Sequence, residues 1–542
     1  MAIRIDRRSF IVTGSIGLGA FAIPGFAQMP SVQAARGFTH SVASGEPSAD
    51  SVLLWTRYVP VDEAAVHLRA EIAETADFAR IVSGGVQISG PWRDYTAKIT
   101  VAGLKPGTRY YFRFVAPDGS FSPVGRTKTL PAGLAPSFKA AIFSCSNLPF
   151  GYFNAYAHAA LRDDIDLAIH LGDYYYEYQT GSYPAAKDAV AGRQPLPATE
   201  IIHLADYRLR YASYRSDPDL QKLHSLVPMI VQWDDHESTN DSWEGGAQNH
   251  QPAAEGEWSI RRAAAIQAYR EWMPVSDEPW KAYEIGTLAT LFRTETRLLG
   301  RTKPSELAPL LFKPDPAKAL AEFRDGSWQD PAATMMGSQQ EDWLAHAMRA
   351  SVKGGTKWQV VGFGTIMGNT ETPLGAPSWL APDADPRAKA YMNAGIAATK
   401  AGLPFNFDSW GGYPAARKRF LTSAQKMGAN LIVISGDSHN AWAYDLGQDG
   451  KPAGVEFAGQ GVTSPGFESA LGVDPKIVAK ALVEQNPELK WCDTSRRGYM
   501  AMTITPTKVR NDWIFVDTIK APTAAASIGH SATVLRGRNV MA

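Results

Sequence analysis

The feature that most restricts what this chain can become is the placement of its polar, metal-competent residues directly after short apolar runs. The runs at 138–144, 166–171, 227–233 and 430–434 read as buried strands. They lead into Ser144-Cys145-Ser146-Asn147, Gly172-Asp173-Tyr174-Tyr175-Tyr176, Asp234-Asp235-His236-Glu237-Ser238-Thr239-Asn240 and Ser435-Gly436-Asp437-Ser438-His439-Asn440. Open α/β sheets form their sites outside the carboxyl ends of strands. Helical patterns at 152–162, 257–272 and 338–350, and a further apolar run at 358–363, alternate with these strands. Together they predict an α/β domain over about residues 137–520.

The region before it has a different texture. From 37 to about 130 the chain shows period-2 runs such as Ser51-Val-Leu-Leu-Trp-Thr-Arg57 and Tyr95-Thr-Ala-Lys-Ile-Thr-Val101, broken by turn residues. That is the pattern of a small antiparallel β-sandwich, and the stretch around Tyr110 resembles the tyrosine-bearing corner of fibronectin-like domains. Pro131-Ala-Gly-Leu-Ala-Pro136 reads as a linker. At the other end, 521–542 is rich in Ala, Ser, Thr and Gly with little periodicity, which predicts a loose tail or an extension over the surface. A length of 542 residues fits two or three such units.

Residues 1–35 read as an export signal. Asp6-Arg7-Arg8-Ser9-Phe10 precedes a weakly apolar run diluted by Gly14, Gly17, Gly19 and Gly25, and small residues near Ala27 or near Ala34 and Ala35 offer cleavage sites. The arginine pair resembles a twin-arginine signal, which carries folded cargo to the export machinery. A periplasmic or secreted location follows as the expectation. No later apolar run reaches the roughly 18 residues needed to span a bilayer. Lys+Arg and Asp+Glu balance at 54 each, so bulk charge gives no reason to expect a nucleic acid partner. The two cysteines, Cys145 and Cys492, leave two options open: a disulfide in an oxidising compartment, or a Cys145 thiolate kept for a metal.

Singly, these clusters have bland explanations: Gly-Asp commonly begins a turn, Cys145 could be a small core residue, and the tyrosines could be packing. Asp-Asp-His-Glu after a buried strand is harder to dismiss, because four ionisable groups are costly to bury unless paired or metal-bound. Phosphate-ester hydrolysis needs a nucleophile and neutralisation of the phosphoryl oxygens, and a pair of cations meets both needs. Cys145, Tyr176 and His439 suit trivalent iron or a similar transition metal; Asn240 and Asp437 suit calcium or magnesium.

In order and spelling these motifs resemble the PhoD-like alkaline phosphatases, relatives of the purple acid and calcineurin-type metallophosphatases. The resemblance runs through Phe143-Ser-Cys-Ser-Asn147, His170-Leu-Gly-Asp-Tyr-Tyr-Tyr-Glu177, Trp233-Asp-Asp-His-Glu237, Asp408-Ser-Trp-Gly-Gly-Tyr-Pro414, Ser435-Gly-Asp-Ser-His439 and Thr463-Ser-Pro-Gly466. It implies a four-layer α/β/β/α metallophosphatase domain holding Fe3+ with one or two Ca2+. By motif, Cys145 looks like the thiolate ligand, Tyr176 the phenolate, and Asp173 the bridging carboxylate. Asn240 and Asp437 would serve the calcium side and His439 the iron side, while His236, with Asp235, would act near the substrate. Two departures stand out: Ser238-Thr-Asn-Asp241 replaces an expected Val-x-Asn-Asn, and Glu295-Thr-Arg297 replaces Asp-x-Arg.

The expected function is an exported phosphoesterase acting on phosphate mono- or diesters by direct attack of a metal-bound hydroxide. A phospholipase-type phosphodiesterase on the same scaffold is the near alternative, and a non-catalytic iron-binding or adhesion protein the distant one. Arg208, Arg210 and Arg215 could grip phosphate or form a solvated helix face.

Overall fold

The computed structural model describes residues 35–542 apart from 382, 383 and 385. Residues 1–34, which hold nearly all of the export signal expected over 1–35, lie outside the described residues. Two sheets form the centre. The larger has nine strands in the order Ala526–Leu535, Lys508–Val516, Gly498–Ile504, Phe138–Phe143, Leu167–His170, Met229–Val231, Gly37–Gly45, Ser51–Val59 and Thr96–Ala102. The smaller has seven, in the order Lys281–Ile285, Ala289–Arg293, Trp358–Phe363, Leu431–Ser435, Lys451–Ala458, Ala441–Gln448 and Leu489–Asp493.

The near-continuous apolar runs follow from burial of the central strands on both faces. Alternate residues divide between two cores. Ile142, Ile169 and Ile230 lie in register in the large sheet and face Leu291, Val360, Ile432 and Ile434 of the small one. On the far side of the large sheet, Phe143, Ala168 and Val231 pack with Tyr211, Leu223 and Tyr269 from helices Leu204–Tyr214, Pro218–Leu226 and Trp258–Trp272. The far side of the small sheet, with Phe292, Val361 and Val433, packs under helices Gly337–Lys353, Pro414–Met427 and Pro475–Gln485. The result is the expected α/β/β/α layering.

The all-β sandwich is also present, with a core that includes Val42, Leu54, Leu68, Ile72, Phe112 and Phe114. Its first sheet is not free, however. Gly45 pairs in parallel with Met229, so the strands Gly37–Gly45, Ser51–Val59 and Thr96–Ala102 prolong the large sheet. A Cβ on Gly45 would sit 2.0 Å from the Pro274 carbonyl oxygen, so the junction admits no side chain. Trp55 locks it further, donating its indole N–H to the Glu271 carbonyl at 2.8 Å beneath the Arg215 guanidinium.

The expectation of a loose tail is corrected. Residues 526–535 form an edge strand paired antiparallel to Lys508–Val516, with Ala532 and Val534 in the inter-sheet core and the His530 ring stacked on Trp491 at 4.1 Å. Small residues hide it in sequence because an edge strand with one solvated face needs few large side chains. Deleting 526–542 is expected to cost at least ~2 kcal/mol of stability, the burial of Val534 alone being of that size. Denaturant unfolding checks this, and an unchanged midpoint would show the strand to be dispensable.

Candidate metal centre

The strand ends deliver their side chains through backbone that few residues adopt. Cys145, Asp173, Asp241, Asp437 and His439 all have φ between 49° and 63°. Left-handed conformations at non-glycine residues cost of order 1–3 kcal/mol and persist only where the surroundings fix them. Here the loops hold one another. The Cys145 and Ser146 N–H groups donate to the carbonyls of Gly172 and Asp173 at 3.2 and 2.8 Å, and the Ser464 N–H donates to the Cys145 carbonyl at 3.2 Å. The buried Glu237 carboxylate accepts from the N–H groups of Asp173, Tyr174 and Asp234 at 3.1, 2.6 and 2.8 Å. One carboxylate thus ties two strand exits together.

What converges is a run of three overlapping donor groups: Cys145 with Asp173 and His439; Asp173 with Asp235 and His236; Asp235 with Asp234 and Asp437. Within each group the ligand atoms lie within 4.8 Å of one another, and Asp173 and Asp235 are each shared between two groups. Tyr176 joins the first, its hydroxyl 3.1 Å from Asp173 Oδ2 and 3.0 Å from His439 Nε2, with Ser464 Oγ donating to it at 2.7 Å. His439 Nδ1 faces the Pro465 carbonyl at 2.9 Å, so the N–H belongs there and Nε2 carries the lone pair. Asn240 is tied by its N–H to Glu177 Oε1 and by its amide nitrogen to Gln248, which leaves its carbonyl oxygen for a cation.

This set fits bound cations. Asp173 Oδ1 is buried and has no hydrogen-bond partner. Burial, aided by neighbouring carboxylates, pushes the Asp173 and Asp437 carboxyl groups well above their usual range. Burial also holds His439 down to about 3, a neutral imidazole suited to ligation. Burial and the nearby Asp173 push the Cys145 thiol up. Such a concentration of perturbed groups marks a functional site. Both cysteines are free; Cys145 belongs to this cluster and Cys492 to the core under the small sheet, so the disulfide option falls away.

His236 lies beside the shared carboxylates. Its Nδ1 is 2.6 Å from Glu177 Oε2, and Glu177 is itself held by Thr239, Asn249 and the Asn240 N–H. Burial opposes its charge, but Asp235, Glu177 and Asp173 together hold the imidazolium well above the usual range. Asp235 is fixed by the N–H groups of His236 and Asp241 at 3.0 and 2.7 Å.

Sequence reading missed the cation built into the site. Arg297 is fully buried; it binds both oxygens of Asp234 at 2.6 and 2.8 Å and Asp408 at 2.6 Å, and stands 3.8 Å from Asp235 and 4.0 Å from Asp437. The departure at Glu295 acquires a reason: its carboxylate accepts from the Trp233 indole and from the N–H groups of Arg297, Leu298 and Leu299, shaping the turn that presents Arg297. The sequence carries a signal for it, an arginine two residues after the Glu295 that departs from the family pattern.

The phosphate-gripping role expected of Arg208 and Arg210 is corrected. Arg208 is bidentate to Glu271 at 2.6 Å. Arg210 is buried and spends its donors on the carbonyls of Tyr176, Leu196, Pro197 and Thr199. Arg215 donates to the Trp272 carbonyl and lies over Trp55. The basic stretch stitches helix to loop and is no solvated face.

With this geometry in view, comparison with known proteins settles the family. A family model described as PhoD-like phosphatase matches residues 140–513, and one for the PhoD-like phosphatase N-terminal domain matches 25–131. The chain belongs to the PhoD-like phosphatase family. It is 32% identical to alkaline phosphatase D of Bacillus subtilis (strain 168) over 96% of this chain and 86% of that protein. A solved structure of PhoD superposes with a TM-score of 0.76 at 29% identity, covering 96% and 93% of the two chains. A purple acid phosphatase from yellow lupin seeds shares the fold, with a TM-score of 0.56 at 12% identity and coverage of 92% and 75%. Membership makes the chain a phosphoric ester hydrolase, and its metallophosphatase-like relatives imply a metal cofactor.

Two substitutions separate the roles assigned to arginines. Arg297→Ala is expected to destabilise the fold by about 3–5 kcal/mol, the cost of leaving buried carboxylates uncompensated. Arg208→Ala is expected to leave KM for a phosphate ester unchanged, since its guanidinium is spent on Glu271 and the Trp92 carbonyl and not on the cluster. Denaturant unfolding and steady-state kinetics read the two.

Proposed function

We propose that this chain is an exported, metal-dependent phosphoesterase that hydrolyses phosphate mono- or diesters without a phosphoenzyme. The observation that carries this reading is the run of donor groups sharing Asp173 and Asp235, with the free Asp173 Oδ1 at its centre. Cys145, Tyr176 and His439 would hold Fe3+, Asn240 and Asp437 would hold Ca2+, and Asp173 would serve both. Cations held there lower the pKa of a bound water and withdraw charge from the phosphoryl oxygens.

The chain's own residues supply the rest. Glu177 orients the His236 ring through Nδ1, so that Nε2 is the nitrogen that hands a proton to the leaving alkoxide. Asp235 sustains the charge on that imidazolium. Two serines beside the cluster are committed elsewhere: Ser464 donates to Tyr176, and Ser438 donates to the Asn440 carbonyl while accepting the Trp442 indole N–H. No nucleophilic serine is needed. Arg7-Arg8 before the apolar run supports delivery through the twin-arginine machinery to the periplasm or beyond. Transport of a folded chain would let the cations be loaded before export. No helix among the described residues is long and apolar enough to cross a membrane.

Chelation is expected to abolish hydrolysis of 4-nitrophenyl phosphate and of its bis-nitrophenyl diester, with recovery on adding Fe3+ and Ca2+. Asp173→Ala should lower kcat by more than the roughly 10–100-fold typical of outer-shell partners of a metal site. Visible absorbance from an iron–tyrosinate should vanish in Tyr176→Phe. Full activity in chelated, colourless protein contradicts the reading. Replacing Arg7 and Arg8 by Lys should retain the protein in the cytoplasm.

A further inference from the structure

A cavity of about 190 Å³ opens beside Asp437 and Ser438, walled by Tyr391, Phe405, Trp442 and Phe467. It shares Thr370, Tyr391, Phe405 and Phe467 with a second cavity of about 130 Å³, whose walls add Trp379, Met392, Leu471 and Leu482. The aromatic rings form one packed row: Tyr391 to Phe405 at 5.1 Å, Phe405 to Phe467 at 6.1 Å, and Phe467 to Trp442 at 5.9 Å. The row is hooked to the candidate centre, because the Trp442 indole N–H donates at 2.7 Å to Ser438 Oγ, between Asp437 and His439. The two cavities thus share one aromatic wall, and the outer one opens beside Asp437.

The polar groups of the inner cavity are largely occupied. Thr370 Oγ1 pairs with the Tyr444 hydroxyl at 2.7 Å, and the Glu371 carboxylate accepts from Gln485 at 3.1 Å. Among the fully buried polar atoms of the lining side chains, the Thr372 hydroxyl is left without a partner. No lysine, arginine or histidine is among the lining residues. A sugar or a second phosphate entering here would lose its water and gain few hydrogen bonds, a net cost, whereas a hydrocarbon would gain the transfer of its surface out of water. Pockets of this make-up, apolar with a few polar groups at one end, are typical of sites that fix a ligand by its apolar part.

We propose that this two-part cavity is a subsite for the apolar alcohol arm of a phosphate ester. The phosphate sits at the carboxylate cluster, and a hydrocarbon arm runs past Asp437 along the Tyr391–Phe405–Phe467 wall toward Leu471 and Met392. The inference rests on the phosphoesterase reading of the cluster and adds to it a preference among esters. Binding of this kind acts on ground and transition states alike, so it raises kcat/KM and leaves kcat unchanged.

The test uses metal-loaded full-length enzyme and a series of n-alkylphosphonates, methyl to hexyl, as competitive inhibitors of 4-nitrophenyl phosphate hydrolysis. Ki is expected to fall by about four-fold per methylene until the cavity is full. Leu471→Asn and Met392→Gln, on separate segments of the lining, should each flatten that dependence while leaving inhibition by methylphosphonate unchanged. A flat series on active wild-type enzyme overturns the subsite and leaves the phosphoesterase reading intact. Enzyme that turns over neither 4-nitrophenyl ester when loaded would instead defeat the phosphoesterase reading itself. Tighter binding of a trimethylammonium-ended phosphonate than of its tert-butyl isostere would also overturn the proposal, in favour of a cation cage.

Discussion

Asp173, Asp234 and Asp235 are buried and Asp437 half-buried where four carboxylates crowd together through the shared Asp235, and most of what is unusual in this molecule follows from holding them there. Like charges out of water repel strongly, and each unpaired charge is costly in its own right. The chain contributes the Arg297 guanidinium, which is bidentate to Asp234 and close to two of the others, and the His236 imidazolium beside Asp235 and Asp173. One guanidinium and one imidazolium, which Asp408 and Glu177 also claim, cannot balance four carboxylates. The remaining deficit is the physical reason to expect cations in the cluster, and the reason Asp173 and Asp437 are held toward protonation without them.

The scaffold answers that repulsion with rigidity. Parallel strands end side by side, so residues distant in sequence arrive at one edge in register. Glu237 then gathers three N–H groups from two exits, and left-handed residues turn the side chains inward. The same construction explains why the sandwich domain is fused to the large sheet at Gly45: a strand paired with Met229–Val231 stiffens the very segment that leads to Asp234. Function and stability are therefore coupled at the strand ends, where strain at non-glycine residues is tolerated for the positions it creates.

Much of this was legible in sequence because burial writes itself plainly. The runs at 138–144, 166–171 and 430–434 appear as Phe138–Phe143, Leu167–His170 and Leu431–Ser435, and 358–363 as Trp358–Phe363. Strands buried on both faces leave few polar interruptions to mislead. Several strands are not legible in sequence, Ala289–Arg293 and the edge strand Ala526–Leu535 among them: the first is short, and the second is built of small residues on a half-solvated edge. In the site, Cys145, Asp173, Tyr176, Asp235, His236, Asp437 and His439 announced themselves by following strands. Arg297, Glu177 and Asp408 did not, since their importance lies in partners 59 to 111 residues away, such as His236 for Glu177 and Asp408 for Arg297. Arg208 and Arg210 misled for the opposite reason. A local cluster of charge says nothing of the buried carbonyls and carboxylate it will meet.

Elemental analysis of the purified, folded protein, as metal atoms per chain in wild type beside Asp173→Asn, addresses the centre most directly. At least two tightly held cations per wild-type chain are predicted, with clear loss in the variant at unchanged fold. Fully active wild-type protein carrying none would contradict the assignment of the carboxylate cluster as a metal site.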